Sequence, residues 1–131
     1  MLTIYGKIDD SVSIIAPGTA VSDPDDIQKA VEIVTALGLK PIFGKNLTSG
    51  SGYKTRSVEE RIDDIHQAFL DKSTKAVFCI RGGYGSAQLV DKIDYSIIKN
   101  IPKIFCGYSD ITALHSSISV KTGLVTYHSP V

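Results

Sequence analysis

The chain has 131 residues, and its 14 lysines and arginines balance 14 aspartates and glutamates. This length predicts one domain that buries roughly two thirds of its unfolded surface. The sequence has no basic block, no run of about 18 apolar residues and no secretory signal pattern at its start. We therefore expect no nucleic-acid partner, no membrane span and a cytoplasmic location.

Apolar, strand-like runs alternate with amphipathic helical segments, a pattern typical of a parallel sheet covered on both faces. The first strand is predicted at Val12 to Ala16. Asp23 is the predicted N-cap of a helix that Gly38 ends, and a second strand follows at Leu39 to Phe43. Residues 44–56, rich in Gly, Ser, Thr and Lys, are predicted to form a surface loop.

The same alternation continues through the second half of the chain. Ser57 and Glu60 form a predicted capping box at the start of a helix. The later predicted helical stretches are Leu89 to Ile93, Tyr95 to Lys99 and the segment between Ser109 and Gly123. The later predicted strands are Lys75 to Ile80, Ile104 to Cys106 and Leu124 to Tyr127. The fold class is therefore predicted to be α/β, with an open, mostly parallel sheet of about five strands and helices on both faces.

Cys79 and Cys106 each lie inside an apolar, strand-like segment, where a free cysteine behaves as a small hydrophobic residue. We predict that both are reduced core residues. A disulfide or a catalytic thiol is the alternative, but no partner spacing supports either of them.

An apolar run ends on Gly107, presents Ser109 and then turns helical. A strand that runs directly into a helix forces a tight turn, which exposes the residue at its apex to a substrate. The first amides of the following helix would lie where a developing oxyanion forms. Ile111 stands where the usual G-x-S-x-G pattern has its second glycine, so a serine that merely caps the helix is the alternative.

A second candidate feature is the glycine-rich loop from Arg81 to Ser86. Its three glycines allow backbone amides to point outward, which suits a phosphate or a tetrahedral oxyanion. A dinucleotide fingerprint would need glycine near Gln88, and the Gly-Lys-Ser or Gly-Lys-Thr of a P-loop is missing. A tight turn without a ligand remains the alternative. This loop and Ser109 both follow predicted strands, so both fall at the carboxyl edge of the sheet.

None of the three histidines is a convincing general base. His66 lies within a helix, and His115 is about 600° of helical rotation beyond the serine, so both are expected to be structural. His128 ends a predicted strand at the carboxyl edge, either as a site residue or as a turn cap. The acids of the helix that follows Ser57, Asp63 and Asp64 among them, are expected to be solvated.

Three ordered segments of this sequence resemble the LD-carboxypeptidases, serine peptidases (family S66) that trim murein tetrapeptides and are grouped with the microcin C7 self-immunity peptidases. These segments are Arg81–Ser86, Pro102–Leu114 and Thr122–Pro130, and the resemblance covers about Asp9 to Val131. It implies a fold of the flavodoxin-like or class I glutamine amidotransferase-like type.

The resemblance implies a role for Ser109 as nucleophile and for the backbone amides of Gly83 and Asp110 as oxyanion hole. In the family, a Glu and a His from a C-terminal domain complete the triad, and we expect residues 1–131 to be the N-terminal domain only. His128 matches a family motif without being the triad histidine, while Ser129 replaces a usual glycine. No metal and no organic cofactor is implied.

The implied activity is release of a terminal D-alanine from a murein-type peptide. Loss of the base removes about 10⁴ to 10⁶ of kcat, so this chain alone is expected to be nearly inactive. It would be a truncated fragment, a half completed by a separate C-terminal chain, or a binding domain, and an uncovered surface would favour self-association. The alternative function is a non-catalytic module that binds a small anionic ligand at Gly82-Gly83-Tyr84-Gly85.

Overall fold

The computed structural model describes residues 10–18, 21, 23–48, 57–80, 86–107 and 111–128. The strands are β1 (Ser11–Ile15), β2 (Lys40–Phe43), β3 (Thr74–Cys79), β4 (Ile104–Gly107) and β5 (Tyr127–His128). The helices are α1 (Pro24–Ala36), α2 (Val58–Leu70), α3 (Tyr95–Asn100) and α4 (Thr112–Thr122), with a short 3₁₀ helix at Ser86–Leu89. None of the helices in these ranges is long and apolar enough to cross a bilayer.

The strands form a single sheet in the order β2-β1-β3-β4-β5, and every neighbouring pair is parallel. This is the strand order of flavodoxin-like folds. The predicted fold class, an α/β protein with a parallel sheet and flanking helices, is confirmed. Strands β1 to β4 have four to six residues each, whereas β5 has only two.

The direction of each crossover decides which face of the sheet a helix covers. The chain moves one way from β1 to β2 and the opposite way for all later strands, so right-handed crossovers place α1 on one face and the other helices on the opposite face. Two core clusters fit this arrangement. Ala30 and Val34 of α1 pack in one cluster, while Ile65 of α2, Ile98 of α3 and Leu114 of α4 pack in the other.

The predicted helix boundaries are confirmed where capping signals are strongest. The Asp23 carboxylate accepts a bond from the Asp25 amide at 2.9 Å. The Ser57 hydroxyl accepts from the Glu60 amide at 3.1 Å, while the Glu60 carboxylate accepts from the Ser57 amide at 3.0 Å. Gly123 ends α4 at a φ of 76°, which glycine adopts without a steric cost.

Two predicted elements are placed differently in the structure. The helix predicted at Leu89 to Ile93 is wrong: the 3₁₀ helix ends at Leu89, and turn bonds from Lys92 and Ile93 to its carbonyl follow. Leu89 and Ile93 are both buried in one cluster, so their spacing reflects burial rather than helical periodicity. The last strand is only Tyr127–His128, because β5 pairs with just the final two residues of β4.

Lys103, just before β4, is buried at the amino-terminal edge of the sheet. Its ammonium group donates to the Ala68 carbonyl at 2.9 Å, to the Thr74 hydroxyl at 2.7 Å and to the Asp71 carbonyl. It therefore binds carbonyl oxygens at the C-terminal end of α2, which have no N–H donor within the helix itself. Burial lowers the pKa of Lys103.

Both cysteines are free and buried, as predicted. Burial raises the pKa of Cys79 well above its ordinary value and that of Cys106 from 9.0 to about 11. The two groups therefore remain neutral thiols at neutral pH, which makes neither a thiolate nucleophile.

The raised thiol pKa values predict that stability falls as the pH rises. Between pH 9.0 and about 11 the unfolded chain loses the Cys106 proton while the folded chain keeps it. In urea unfolding under reducing conditions, the drop in unfolding free energy from about pH 8 to about pH 10.5 should be about 2 kcal/mol smaller in Cys106→Ala than in wild type. An equal drop in both proteins would contradict this account.

The start of α4 packs directly against the end of β4. A side chain at Gly107 would place its Cβ 2.7 Å from Cγ2 of Ile111 and 3.1 Å from Cβ of Cys79. Ile111, the N-cap residue of α4, is completely buried. Glycine is therefore required at position 107 because the backbone and the Ile111 side chain approach so closely.

We expect Gly107→Ala to lower the free energy of unfolding by about 1 to 3 kcal/mol through overpacking. The cost should shrink when Ile111→Ala removes the opposing methyl group, which a double-mutant cycle measured by urea unfolding would reveal. Gly123→Ala is the control, because no described atom beyond its chain neighbours lies within 4 Å of the added Cβ and its positive φ is what opposes the change. Independent effects of the changes at 107 and 111 would refute the packing argument.

Candidate active site

The residues predicted to form the site lie in two loops outside the described ranges. Gly83 belongs to the segment 81–85, together with the other glycines of its loop. Ser109 and Asp110 belong to the segment 108–110. What the structure describes is the elements that enter and leave these loops, and these elements fix where each loop begins and ends.

Both loops leave the sheet from neighbouring strands at the same edge. β3 and β4 are adjacent and parallel, with Phe78 opposite Cys106. β3 ends at Cys79, and the amide of the next residue, Ile80, donates to the Ile15 carbonyl of β1 at 2.9 Å. β4 ends at Gly107. Neighbouring strands lie about 4.8 Å apart, so the two loops start side by side at the carboxyl edge.

The elements that follow the two loops also pack together. Ser86 and Leu89 of the 3₁₀ helix are completely buried, and Leu89 lies in the same core cluster as Ile111 and Leu114. The loop 81–85 therefore leads into an element that packs against the start of α4. Loop 108–110 lies between the buried residues Gly107 and Ile111, and loop 81–85 lies between the half-buried Ile80 and the buried Ser86.

Arg61 of α2 is a buried charged residue that the sequence analysis did not single out. Its guanidinium donates from Nη1 to the Pro17 carbonyl at 3.2 Å and from Nη2 to Oε1 of Gln88 at 2.8 Å. It thus joins the segment after β1 to the 3₁₀ helix after the glycine loop. Its position three residues after Val58 and four before Ile65, on the apolar stripe of α2, is the sequence signal for this burial.

His115 lies against the end of β4. Its Nε2 is 2.9 Å from the Gly107 carbonyl oxygen, and its Nδ1 is 2.6 Å from Oγ1 of Thr126. The ring also meets Phe105 edge-on, with centroids 5.5 Å apart. The expected structural role agrees with these bonds. The rotation argument counts its angle from Ser109, which lies outside the described residues, so it stays a prediction.

The other two histidines also take the positions expected for them. His128 is the last residue of β5, opposite Gly107, so its backbone lies at the carboxyl edge as predicted. His66 accepts a hydrogen bond at Nε2 from the Asp94 amide at 2.9 Å, which is a structural role.

The expectation of solvated acids on α2 is wrong for Asp64. This side chain is buried and accepts bonds from the Asn46 amide at 3.0 Å and from its Nδ2 at 3.1 Å. It holds the loop after β2, whose glycine, Gly44, has its Cβ position only 2.5 Å from an Asp64 oxygen. Asp63 is half-exposed and pairs with the exposed Lys45 at 3.0 Å, where hydrogen bonding to that carboxylate raises the pKa of Lys45.

A cavity of about 140 Å³ lies beside α2 and is lined by Ser13, Gly44, Asp64 and Gln67 among others. It borders the edge strand β2 and its neighbour β1, and β3 lies between these strands and β4. Within the described ranges, no group of three or more His, Cys, Asp or Glu side chains is arranged to hold a metal ion.

Comparison with known proteins identifies the family. The model of the LD-carboxypeptidase N-terminal domain matches residues 12–129. A protein of Bacillus subtilis (strain 168) named "Probable murein peptide carboxypeptidase" is 43% identical over 122 residues, which cover 93% of this chain and 38% of the relative. The murein tetrapeptide carboxypeptidase of Pseudomonas aeruginosa is 33% identical over 128 residues, covering 97% and 41%.

A solved structure is also similar to this chain. The crystal structure of an MccF-like protein from Bacillus anthracis matches with a TM-score of 0.90 at 38% identity, covering 99% of this chain and 40% of that one. The chain therefore spans about two fifths of the length of the proteins it matches. The family model spans nearly all of the described residues, and the chain belongs to the LD-carboxypeptidase family, of which it represents the N-terminal domain.

Proposed function

We propose that this chain is the nucleophile-bearing domain of a serine carboxypeptidase that removes a C-terminal D-alanine, or a related amide, from murein-type peptides. Ser109 is the nucleophile, and the backbone amides of Gly83 and Asp110 form the oxyanion hole. The enzyme uses no metal or organic cofactor and acts in the cytoplasm. The names of the two sequence relatives support this substrate class.

The adjacent ends of β3 and β4 are the observation that carries the proposal. They bring the loops 81–85 and 108–110 to one edge, so an amide of one loop can serve a serine of the other. The second loop leads into α4, an eleven-residue helix whose N-terminal end favours negative charge.

The proposed reaction is acyl transfer followed by hydrolysis. The Ser109 oxygen attacks the carbonyl carbon of the terminal peptide bond while a base takes the hydroxyl proton. The tetrahedral oxyanion is held by the amides of Gly83 and Asp110. The C–N bond then breaks, the leaving D-alanine takes up the proton, and water hydrolyses the acyl-serine ester to regenerate the hydroxyl.

The base in this scheme comes from outside the described residues. His66 uses Nε2 in a bond to the Asp94 amide, and His115 uses both ring nitrogens. The family resemblance implies that a Glu and a His from a C-terminal domain provide this base. Without them Ser109 stays protonated at neutral pH, and the chain alone is nearly inactive.

Labelling of Ser109 with a fluorophosphonate tests the proposal. The chain should be labelled at Ser109, slowly alone and faster when the C-terminal three fifths of the Bacillus subtilis relative is added, because that part would supply the base. The same mixture should release D-alanine from a murein tetrapeptide but leave a tetrapeptide ending in L-alanine intact. Mass spectrometry locates the label, and amino-acid analysis measures the release.

Two variants provide the controls. Ser109→Ala should abolish labelling and change the free energy of unfolding by less than about 0.5 kcal/mol. Ser116→Ala removes an exposed hydroxyl from α4 and should be labelled like wild type. A loss of about 1 kcal/mol or more in Ser109→Ala would indicate a helix cap instead. Absence of label under every condition, with binding of a small anion that Gly83→Val abolishes, would favour the non-catalytic module.

A further inference from the structure

The protonation of His115 follows from its two partners. The Gly107 carbonyl oxygen can only accept a hydrogen bond, so Nε2 of His115 carries the proton. In the neutral ring Nδ1 is then an acceptor, and the Thr126 hydroxyl donates to it. The threonine thus selects the tautomer that can hold the Gly107 carbonyl.

The bond to Gly107 acts at the first peptide of the loop that carries Ser109. The Gly107 carbonyl belongs to the peptide unit that joins Gly107 to Tyr108, so its direction sets how the chain leaves β4. Because Ile111 packs where a Cβ would stand, residue 107 has to be glycine, and glycine restricts its own backbone least. The sheet pairs Gly107 with His128, and the His115 ring adds a second partner, from α4, at the Gly107 carbonyl oxygen.

The same ring reaches the last strand. Thr126 immediately precedes β5, so His115 connects α4 to the end of β4 and to the start of β5. The ring itself is held edge-on against the buried Phe105. Its position is therefore determined by packing on one side and by Thr126 on another, which makes it a rigid support.

We propose that His115 is a positioning residue for the nucleophile loop, in which Thr126 fixes the ring and Nε2–H orients the Gly107–Tyr108 peptide. The residue acts through the backbone and touches neither substrate nor reacting atoms. This inference rests on the proposed role of Ser109 in catalysis, because a misdirected loop would move the nucleophile away from the oxyanion-hole amides. Displacements of about 1 Å are enough to cost about a hundredfold in rate.

The test compares substitutions that remove the two bonds separately. His115→Leu removes both bonds, whereas His115→Gln keeps an N–H donor that can reach the Gly107 carbonyl. Thr126→Val removes only the hydroxyl that fixes the ring and keeps the ring on Phe105. Thr122→Val is the control, because its hydroxyl donates to the Ile118 carbonyl at 2.6 Å, accepts from the Leu124 amide at 3.1 Å and makes no bond to the His115 ring.

The kinetic measurement is phosphonate labelling of Ser109 in the presence of the added C-terminal part of the relative. His115→Leu should lower the maximal labelling rate about tenfold to a hundredfold and leave the half-saturating probe concentration within about twofold. His115→Gln should recover most of the rate, and Thr122→Val should match wild type. A merely structural histidine would not give this rescue. Equal rates in wild type and His115→Leu would overturn the proposal.

The second measurement does not depend on activity. Proton–nitrogen NMR of the chain alone should show the Nε2–H tautomer for His115. Thr126→Val should shift the amide signals of Tyr108 and Ser109, and Thr122→Val should leave them in place. If these signals move but wild-type Ser109 is never labelled, the positioning role stands and the proposed function fails. If they stay in place, or if the ring is the Nδ1–H tautomer, the positioning role is wrong. Thr126→Val decides the question even if His115→Leu does not fold.

Discussion

The parallel pairing of β3 with β4 is the constraint on which the candidate site depends. Alternate residues of these strands are buried in opposite core clusters, with Val77 and Phe105 on one face and Phe78 and Cys106 on the other. A slip of one residue would exchange the two faces and bury the wrong side chains, so burial locks the register. The starting points of the two loops are therefore set by the hydrophobic core.

Local signals in the sequence were sufficient to predict the fold class and most boundaries. The capping box of Ser57 and Glu60 and the N-cap at Asp23 depend on contacts over two or three residues, which a sequence displays directly. The central strands β1, β3 and β4 are buried on both faces and so appear as short apolar runs between amphipathic helices. The carboxyl-edge positions of the loops 81–85 and 108–110 then follow from chain direction alone.

The buried polar groups could not be predicted in the same way. Asp64 meets Asn46 eighteen residues earlier, and Lys103 reaches carbonyls and a hydroxyl about thirty residues away. In a sequence such side chains look like solvated surface charges, because the partners that compensate for their burial are brought near only by the fold. Arg61 is the exception, because its position on the apolar stripe of α2 is visible in the sequence. For His115 the sequence predicted a structural role, but its partners Gly107 and Thr126, eight and eleven residues away, are likewise set by the fold.

Backbone groups and side chains place different demands on the proposed site. The oxyanion donors proposed for this chain are backbone amides, whose placement depends on the packing of β3, β4 and α4 rather than on a particular side chain. A general base is a titratable side chain that must be both near the serine and unengaged. His66 and His115 fail the second condition because hydrogen bonds within the domain already occupy them. In the proposed mechanism the base is therefore a side chain other than His66 and His115.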